Sequence, residues 1–255
     1  MLELARSRRN YLTRMLEEPA WKRDLIDDLD DSRSTVDRVV TSLEDAGMIR
    51  KTDSGYVTTR TGRLMLDTVN EATAVAQVAT EGTELLNHLP TDAPRNHRFL
   101  IGADVVSMEE EAPATVYERL ADKVGSAERL RAGAITANNN EFIRLILGNT
   151  LESETLRIRC VITAEVLHHI AAEFPERIEQ VISHADSKIT IVEQLPFAWY
   201  VLDDGECQTA NLVIHGPYDN FLGYITNDHP AAVEWLDSLL ATRERAGTPL
   251  AEYER

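Results

Sequence analysis

Residues 33–46 read RSTVDRVVTSLEDA, and Val36, Val39, Val40 and Leu43 recur at i, i+3, i+4 and i+7. That spacing makes one apolar stripe on a helix. The opposite face carries Arg33, Ser34, Asp37, Arg38 and Thr41. Short polar side chains and arginine on the exposed face of a short helix can hydrogen-bond to base edges in a major groove. Ser34, Thr35, Asp37, Arg38 and Thr41 are assigned base or near-base contacts, and Arg33 a base or a phosphate. Ser32 stands at the N-cap and completes the set. Lys22, Arg23, Arg50, Lys51 and Arg60 are assigned to phosphates.

A second group lies further along the chain. Asn138, Asn139 and Asn140 follow a β-like run and precede a helical one, a position where α/β sheets bind ligands, and Asn offers both donors and acceptors. The same residues also suit a plain capped turn. Arg157 and Arg159 alternate with apolar neighbours and share one strand face, where they meet either an anionic effector or nearby acids. Trp199-Tyr200 reads as core packing or, through Tyr200, as a stacking wall for a ligand. His168-His169 is adjacent, which is not the i, i+4 pair of a helical metal site. Cys160, in a strand, reads as a small buried apolar residue. No Ser-x-x-Lys, Gly-x-Ser-x-Gly or Gly-x4-Gly-Lys occurs. No cofactor or metal is expected.

The elements that would position the first group are legible. A helix is expected over residues 2–17, ended by Pro19. A second runs from Trp21 to Leu29, and Asp30-Asp31 forms a turn. The third follows Ser32 and stops at Gly47, where a C-cap glycine belongs. Met48–Thr52 and Tyr56–Thr59, joined through Asp53-Ser54-Gly55, read as a hairpin. Three helices and a two-stranded wing give the winged helix-turn-helix order.

Charge divides the chain. The protein has 26 Lys and Arg against 43 Asp and Glu, a formal charge of -17. Residues 1–65 hold 12 of each, so the whole excess belongs to the remaining 190, with 14 basic and 31 acidic. A net charge of -17 argues against polyanion binding by the whole molecule. A neutral module on that background points to a different partner for the first quarter. Lysine is rare, 4 against 22 arginines, a balance like that of salt-adapted cytoplasmic proteins. No apolar run approaches a membrane span, no secretory signal is expected, and two cysteines make no disulfide framework. The expected location is cytoplasmic.

Thr61 is expected to cap a helix ending before Leu89-Pro90. On it Met65, Val69, Ala72, Ala76, Ala79 and Leu86 form a heptad-like seam suited to a homodimer contact or to packing on the chain's own second domain. Beyond Pro90, strands are expected at 98–101, 130–136, 156–162, 189–193, 197–202, 209–214 and 221–226. Helices are expected at 113–124, 141–147, 164–173, 175–184 and 230–243. The expected class is α+β/α/β: a winged helix over 1–62, a linker or dimerisation helix over 63–89, an α/β domain with a mixed sheet over 90–246, and a tail over 247–255.

The text SRSTVDRVVTSLEDAGMIRKTDSGYVTTRTG resembles archaeal and bacterial winged-helix regulators in its Leu-Glu-x-x-Gly turn and Gly-Tyr-x-x-Thr-x-x-Gly wing exit. LPTDA, VYERLADKVGSAERLRAGA and ITNDHPAAVEWLDSLL resemble the sensor half of haloarchaeal regulators related to the methanogenesis regulatory protein. The resemblance implies a phospholipase-D-like half-fold. The His-x-Lys-x4-Asp signature of that enzyme class is absent, since none of the seven His has Lys two positions later. A non-catalytic sensor of a small-molecule effector is therefore implied, and with it a regulator binding a double-stranded DNA operator. The alternatives are a phosphodiesterase with a DNA-targeting arm and a protein-binding adaptor.

Overall fold

The computed structural model describes residues 1–109, 113–136, 156–174, 187–217 and 220–253. The chain divides into two compact units, Met1–Ala76 and Gln77–Arg255.

The first unit contains α1 (Leu2–Ser7), α2 (Arg9–Glu17), α3 (Lys22–Leu29), α4 (Arg33–Asp45), β1 (Ile49–Thr52), β2 (Gly55–Thr58) and most of α5 (Arg60–Glu81). The single helix expected over residues 2–17 is broken at Arg8, whose backbone leaves helical values at φ -122° and ψ 27°. Tyr11, Leu12, Met15, Leu25, Val36, Val39, Val40, Leu43, Ile49, Leu66 and Val69 share one core. The stripe read on α4 is therefore its buried face. Between α3 and α4, Asp30 takes the left-handed conformation at φ 52°, which Asp tolerates better than most residues. The Tyr11 hydroxyl reaches from α2 to donate to Asp31 in that turn. Burial and this bond push the Tyr11 pKa up to about 12.

The wing-exit motif proves to be a packing device. Ala20 and Tyr56 exchange two backbone bonds at 3.0 and 2.9 Å, so the segment before α3 joins the hairpin edge. A Cβ on Gly55 would stand 2.8 Å from the Ala20 carbonyl carbon, and one on Gly62 would stand 2.1 Å from the Met48 carbonyl oxygen. Thr59 donates to the Gly47 carbonyl at 2.7 Å and accepts from the Gly62 amide at 3.1 Å. Thr59, rather than the expected Thr61, caps α5.

The second unit is built on an eight-stranded sheet: β3 (Asp104–Ser107), β4 (Arg129–Ala134), β5 (Arg157–Thr163), β6 (Lys188–Val192), β7 (Ala198–Asp203), β8 (Gln208–His215), β9 (Phe221–Asn227) and β10 (Thr248–Pro249). Their order is β10-β6-β5-β4-β7-β8-β9-β3. β4, β5 and β6 are parallel, and every other pairing is antiparallel. The mixed sheet agrees with expectation. α9 (Pro230–Ala246) covers one face, with Val233, Leu236 and Leu240 against Trp199, Val201 and Leu212. α7 (Pro113–Ser126) and α8 (Ala164–Glu173) cover the other, with Leu120, Val124, Val166 and Leu167 against Ile158, Tyr200 and Leu202. Gly133 lies under the Trp199 ring, where a Cβ would approach within 2.4 Å.

Several boundaries differ from those expected. Residues 98–101 are not a strand: His97–Leu100 is a 3-10 helix capped by Asn96. The linker helix does not reach residue 89, because α5 ends at Glu81 and Gly82 precedes a short α6 (Thr83–Leu86). Residues 247–253 are not a loose tail: β10 pairs with β6, and Leu250 is buried in the core. The ITNDHP motif is scaffolding as well. Asn227, buried, donates to the Phe99 and Ile101 carbonyls at 2.7 and 2.9 Å. His229 caps α9 through Nδ1, which accepts from the Ala231 amide at 3.1 Å, and Pro230 occupies the first helical turn.

Candidate nucleic-acid interface

α4 begins at a well-made N-cap. Ser32 Oγ accepts from the Thr35 amide at 3.2 Å and lies 3.1 and 2.9 Å from the Ser34 and Thr35 hydroxyls. Further along, the Thr41 hydroxyl donates back to the Asp37 carbonyl at 2.9 Å, and Ser42 donates to the Arg38 carbonyl at 2.9 Å. The hydroxyls expected at base edges are thus engaged within their own helix.

The Lys22 ammonium donates to Asp37 Oδ1 at 2.8 Å, joining the start of α3 to the outer face of α4. The bond raises the Lys22 pKa and lowers that of Asp37. These two residues, assigned to a phosphate and a base, are partners of each other. Arg23 bonds its neighbour Asp24 at 3.1 Å. Arg33, Arg38 and Arg50 are exposed and make no salt bridge among the described residues. Arg60 opens α5 and is exposed. Lys51, on β1, holds its ammonium 6.0 Å from the centroid of the Trp21 ring. The module therefore presents two uncommitted guanidinium groups on α4 and two further cations on β1.

The sensor-half residues come out differently. Asn138, Asn139 and Asn140 lie outside the described residues. Arg159 donates from Nε to Glu244 Oε1 at 2.8 Å and makes a second bond through Nη2, and the Glu244 side chain is buried, so of the two partners expected for Arg159 it is the acid, on α9, that holds it. Arg157 is exposed at the start of β5. Tyr200 is 3 % exposed and belongs to the core, not to a ligand wall; burial drives its pKa well above that of a free phenol. Burial likewise pushes the Cys160 thiol up to about 12, far from a thiolate nucleophile.

The dimer seam is divided. Met65 and Val69 pack into the core of the first unit, and Leu86 packs against that of the second. Ala79 is half-buried, and Ala72 and Ala76 are exposed. Periodicity alone did not separate a seam for a partner from one for the chain's own cores.

The carboxyl edge of the sheet was expected as a place for a ligand, but the residues that line it were missed in the sequence. A cleft of about 650 Å³ opens at the carboxyl ends of β4, β5 and β6, lined by Ile135, Thr163, Glu165, Val192, Glu193 and Tyr253. The parallel strand order that creates this edge was the missing signal. Among the described residues there is no cluster able to hold a metal ion, and no helix long and apolar enough to cross a membrane.

A helix-turn-helix with a wing, joined in one chain to an α/β domain on a mixed sheet, defines the winged-helix regulator class. Residues 113–245 match the family described as methanogenesis regulatory protein FilR1, middle domain, over just more than half of the chain, and the chain belongs to that family. Residues 1–81 match the HVO_A0261 N-terminal domain. The expected kinship with regulators of the methanogenesis type is borne out. No curated protein matches. Among solved structures, TrmBL2, an archaeal chromatin protein described as showing a novel mode of DNA binding, is 10% identical with a TM-score of 0.41, covering 91% of this chain and 88% of its own. NucT from Helicobacter pylori is 12% identical, with a TM-score of 0.40 over 58% of this chain and 97% of its own. The phospholipase D family member Nuc from Salmonella typhimurium is 12% identical, with a TM-score of 0.41 over 60% and 98%. At these values the likeness assigns no chemistry.

Proposed function

We propose that this protein is a sequence-specific DNA-binding transcriptional regulator, with α4 as its recognition helix. The observation that carries the reading is the pair Arg33 and Arg38. They are exposed on the outer face of α4 and make no salt bridge among the described residues, while the neighbouring hydroxyls and Asp37 are already bonded. Arginine pairs bidentately with guanine O6 and N7, so these two residues read guanines in the major groove. Ser32, Ser34, Thr35 and Thr41 shape the approach, and Lys22 and Asp37 brace α3 against α4. Arg23, Arg50, Lys51 and Arg60 hold phosphates. Selection from a random duplex pool tests this reading: enrichment of a guanine-containing motif is expected, and no enrichment under any salt condition would overturn it.

The α/β domain senses a small molecule at the carboxyl-edge cleft, and occupancy shifts the population of DNA-competent molecules. The Asn138–Asn140 segment, which follows β4 in sequence, is proposed to supply further contacts to that molecule. A thermal-shift screen of metabolites at high salt checks this part. The protein acts in the cytoplasm as a homodimer, and exposed Ala72 and Ala76 are where two α5 helices approach closely.

A further inference from the structure

Trp21 is one of the few large apolar side chains left exposed, at 37%. It stands between the Ala20 bridge to the wing and the first turn of α3, so both neighbours along the chain are fixed. Its amide donates to Asp24 Oδ2 at 2.8 Å, which immobilises the backbone that carries the ring. From the wing, the Lys51 ammonium stands 6.0 Å from the ring centroid. Lys51 pairs across the hairpin with Tyr56, the residue that bridges Ala20, so hairpin and helix hold the indole and the ammonium in one register. The next residue after Trp21 is Lys22, which is bonded to Asp37 on the face of α4. The ledge is therefore continuous with the proposed reading face.

A cation beside an aromatic ring, both partly open to solvent, complements a sugar-phosphate chain. The ammonium meets a phosphate oxygen, the ring face meets deoxyribose C–H groups, and the indole N–H is a second donor. The two acids nearby do not oppose an anion with full charge, because Asp24 is bonded to Arg23 and Asp37 to Lys22. Nothing in this arrangement reads a base edge.

We propose that Trp21 and Lys51 form a clamp for the DNA sugar-phosphate backbone at the junction of α3 and the wing, supplying affinity without sequence preference. The proposal rests on the DNA-binding reading above. It adds a residue that no charge-based reading selects, since Trp21 carries none.

The test is titration of the full-length protein with a random-sequence duplex and with a selected motif, over a series of salt concentrations. Trp21→Ala is expected to weaken both complexes equally, on the order of tenfold, with an unchanged salt slope. Lys51→Gln is expected to weaken both and reduce the slope by about 1. Trp21→Phe, which keeps a ring face but no N–H, should recover part of the loss. The melting temperature of Lys51→Gln should match wild type, and all titrations are run well below the melting temperatures of the Trp21 variants, so that lost binding is not lost folding. Wild-type affinity in Trp21→Ala and Lys51→Gln would overturn the clamp while leaving the regulator reading intact. So would a loss confined to the selected motif. Absence of any duplex binding by the wild type would remove the regulator reading itself, and the clamp with it.

Discussion

The two units differ in which of their surfaces hold arginines without a carboxylate partner. In the sheet domain, Arg129, Arg131 and Arg159 meet Asp203, Asp237 and Glu244, the first two at 3.2 and 2.6 Å. In the winged helix, Arg14 and Arg23 meet Asp28 and Asp24 at 2.6 and 3.1 Å, but Arg33, Arg38 and Arg50, on α4 and β1, make no salt bridge among the described residues. Net charge is a poor guide to a nucleic-acid partner here. Which guanidinium groups lack a carboxylate is a better one, because an uncommitted arginine has no internal bond to break before it meets a base.

If the units are separate in this sense, damage to one should spare the other. The largest effect is expected from Leu236→Ala under α9, a loss of about 3 kcal/mol from the sheet domain. Denaturant unfolding followed by hydrogen exchange should show the loss in the second unit, with α4 protection unchanged. Equal loss of protection in both would erase the distinction. Gly62→Ala should destabilise the winged helix by about 2 kcal/mol, because its Cβ collides with the Met48 carbonyl oxygen; the same exchange experiment reads the opposite pattern. A smaller effect concerns Asp203. Burial alone would raise its pKa, but the Gly205 amide, Gln208 and Arg129 outweigh burial and lower it. A carboxylate depressed in the folded state adds stability above its unfolded pKa and loses it as pH falls through the folded one. Acid titration of stability should therefore show a limb in the sheet domain that is flatter in Asp203→Asn. An unchanged limb would assign the acid sensitivity elsewhere.

Much of the first unit was legible because its signals are local. The α4 stripe, the Ser32 cap, the Gly47 stop and the hairpin glycine each act within a few residues. The roles of motif residues were less legible. Gly55, Thr59 and Gly62 look like a functional signature, yet their constraint is contact with Ala20, Gly47 and Met48, which sequence does not place beside them. The same holds for Asn227, whose partners lie at Phe99 and Ile101. The Lys22–Asp37 bond joins two helices, so two residues that each looked available to DNA were spoken for by one another. Which acid would hold Arg159 was hidden for a similar reason: Glu244 is 85 residues away in sequence. The strand expected at 98–101 was misread because Phe99 is buried by long-range packing, which says nothing of local backbone.

The central claim is that Arg33 and Arg38 read guanines from the neutral module. It is tested most directly by measuring affinity for a selected duplex before and after its guanines are replaced by 7-deazaguanine, in wild type and Arg38→Ala. The account predicts that removing N7 weakens wild-type binding by about 1–3 kcal/mol for each guanine read, and that Arg38→Ala binds the unmodified duplex more weakly with unchanged folding and keeps only the part of the discrimination that Arg33 supplies. Equal wild-type affinity for the two duplexes, or undiminished binding by Arg38→Ala, would contradict it.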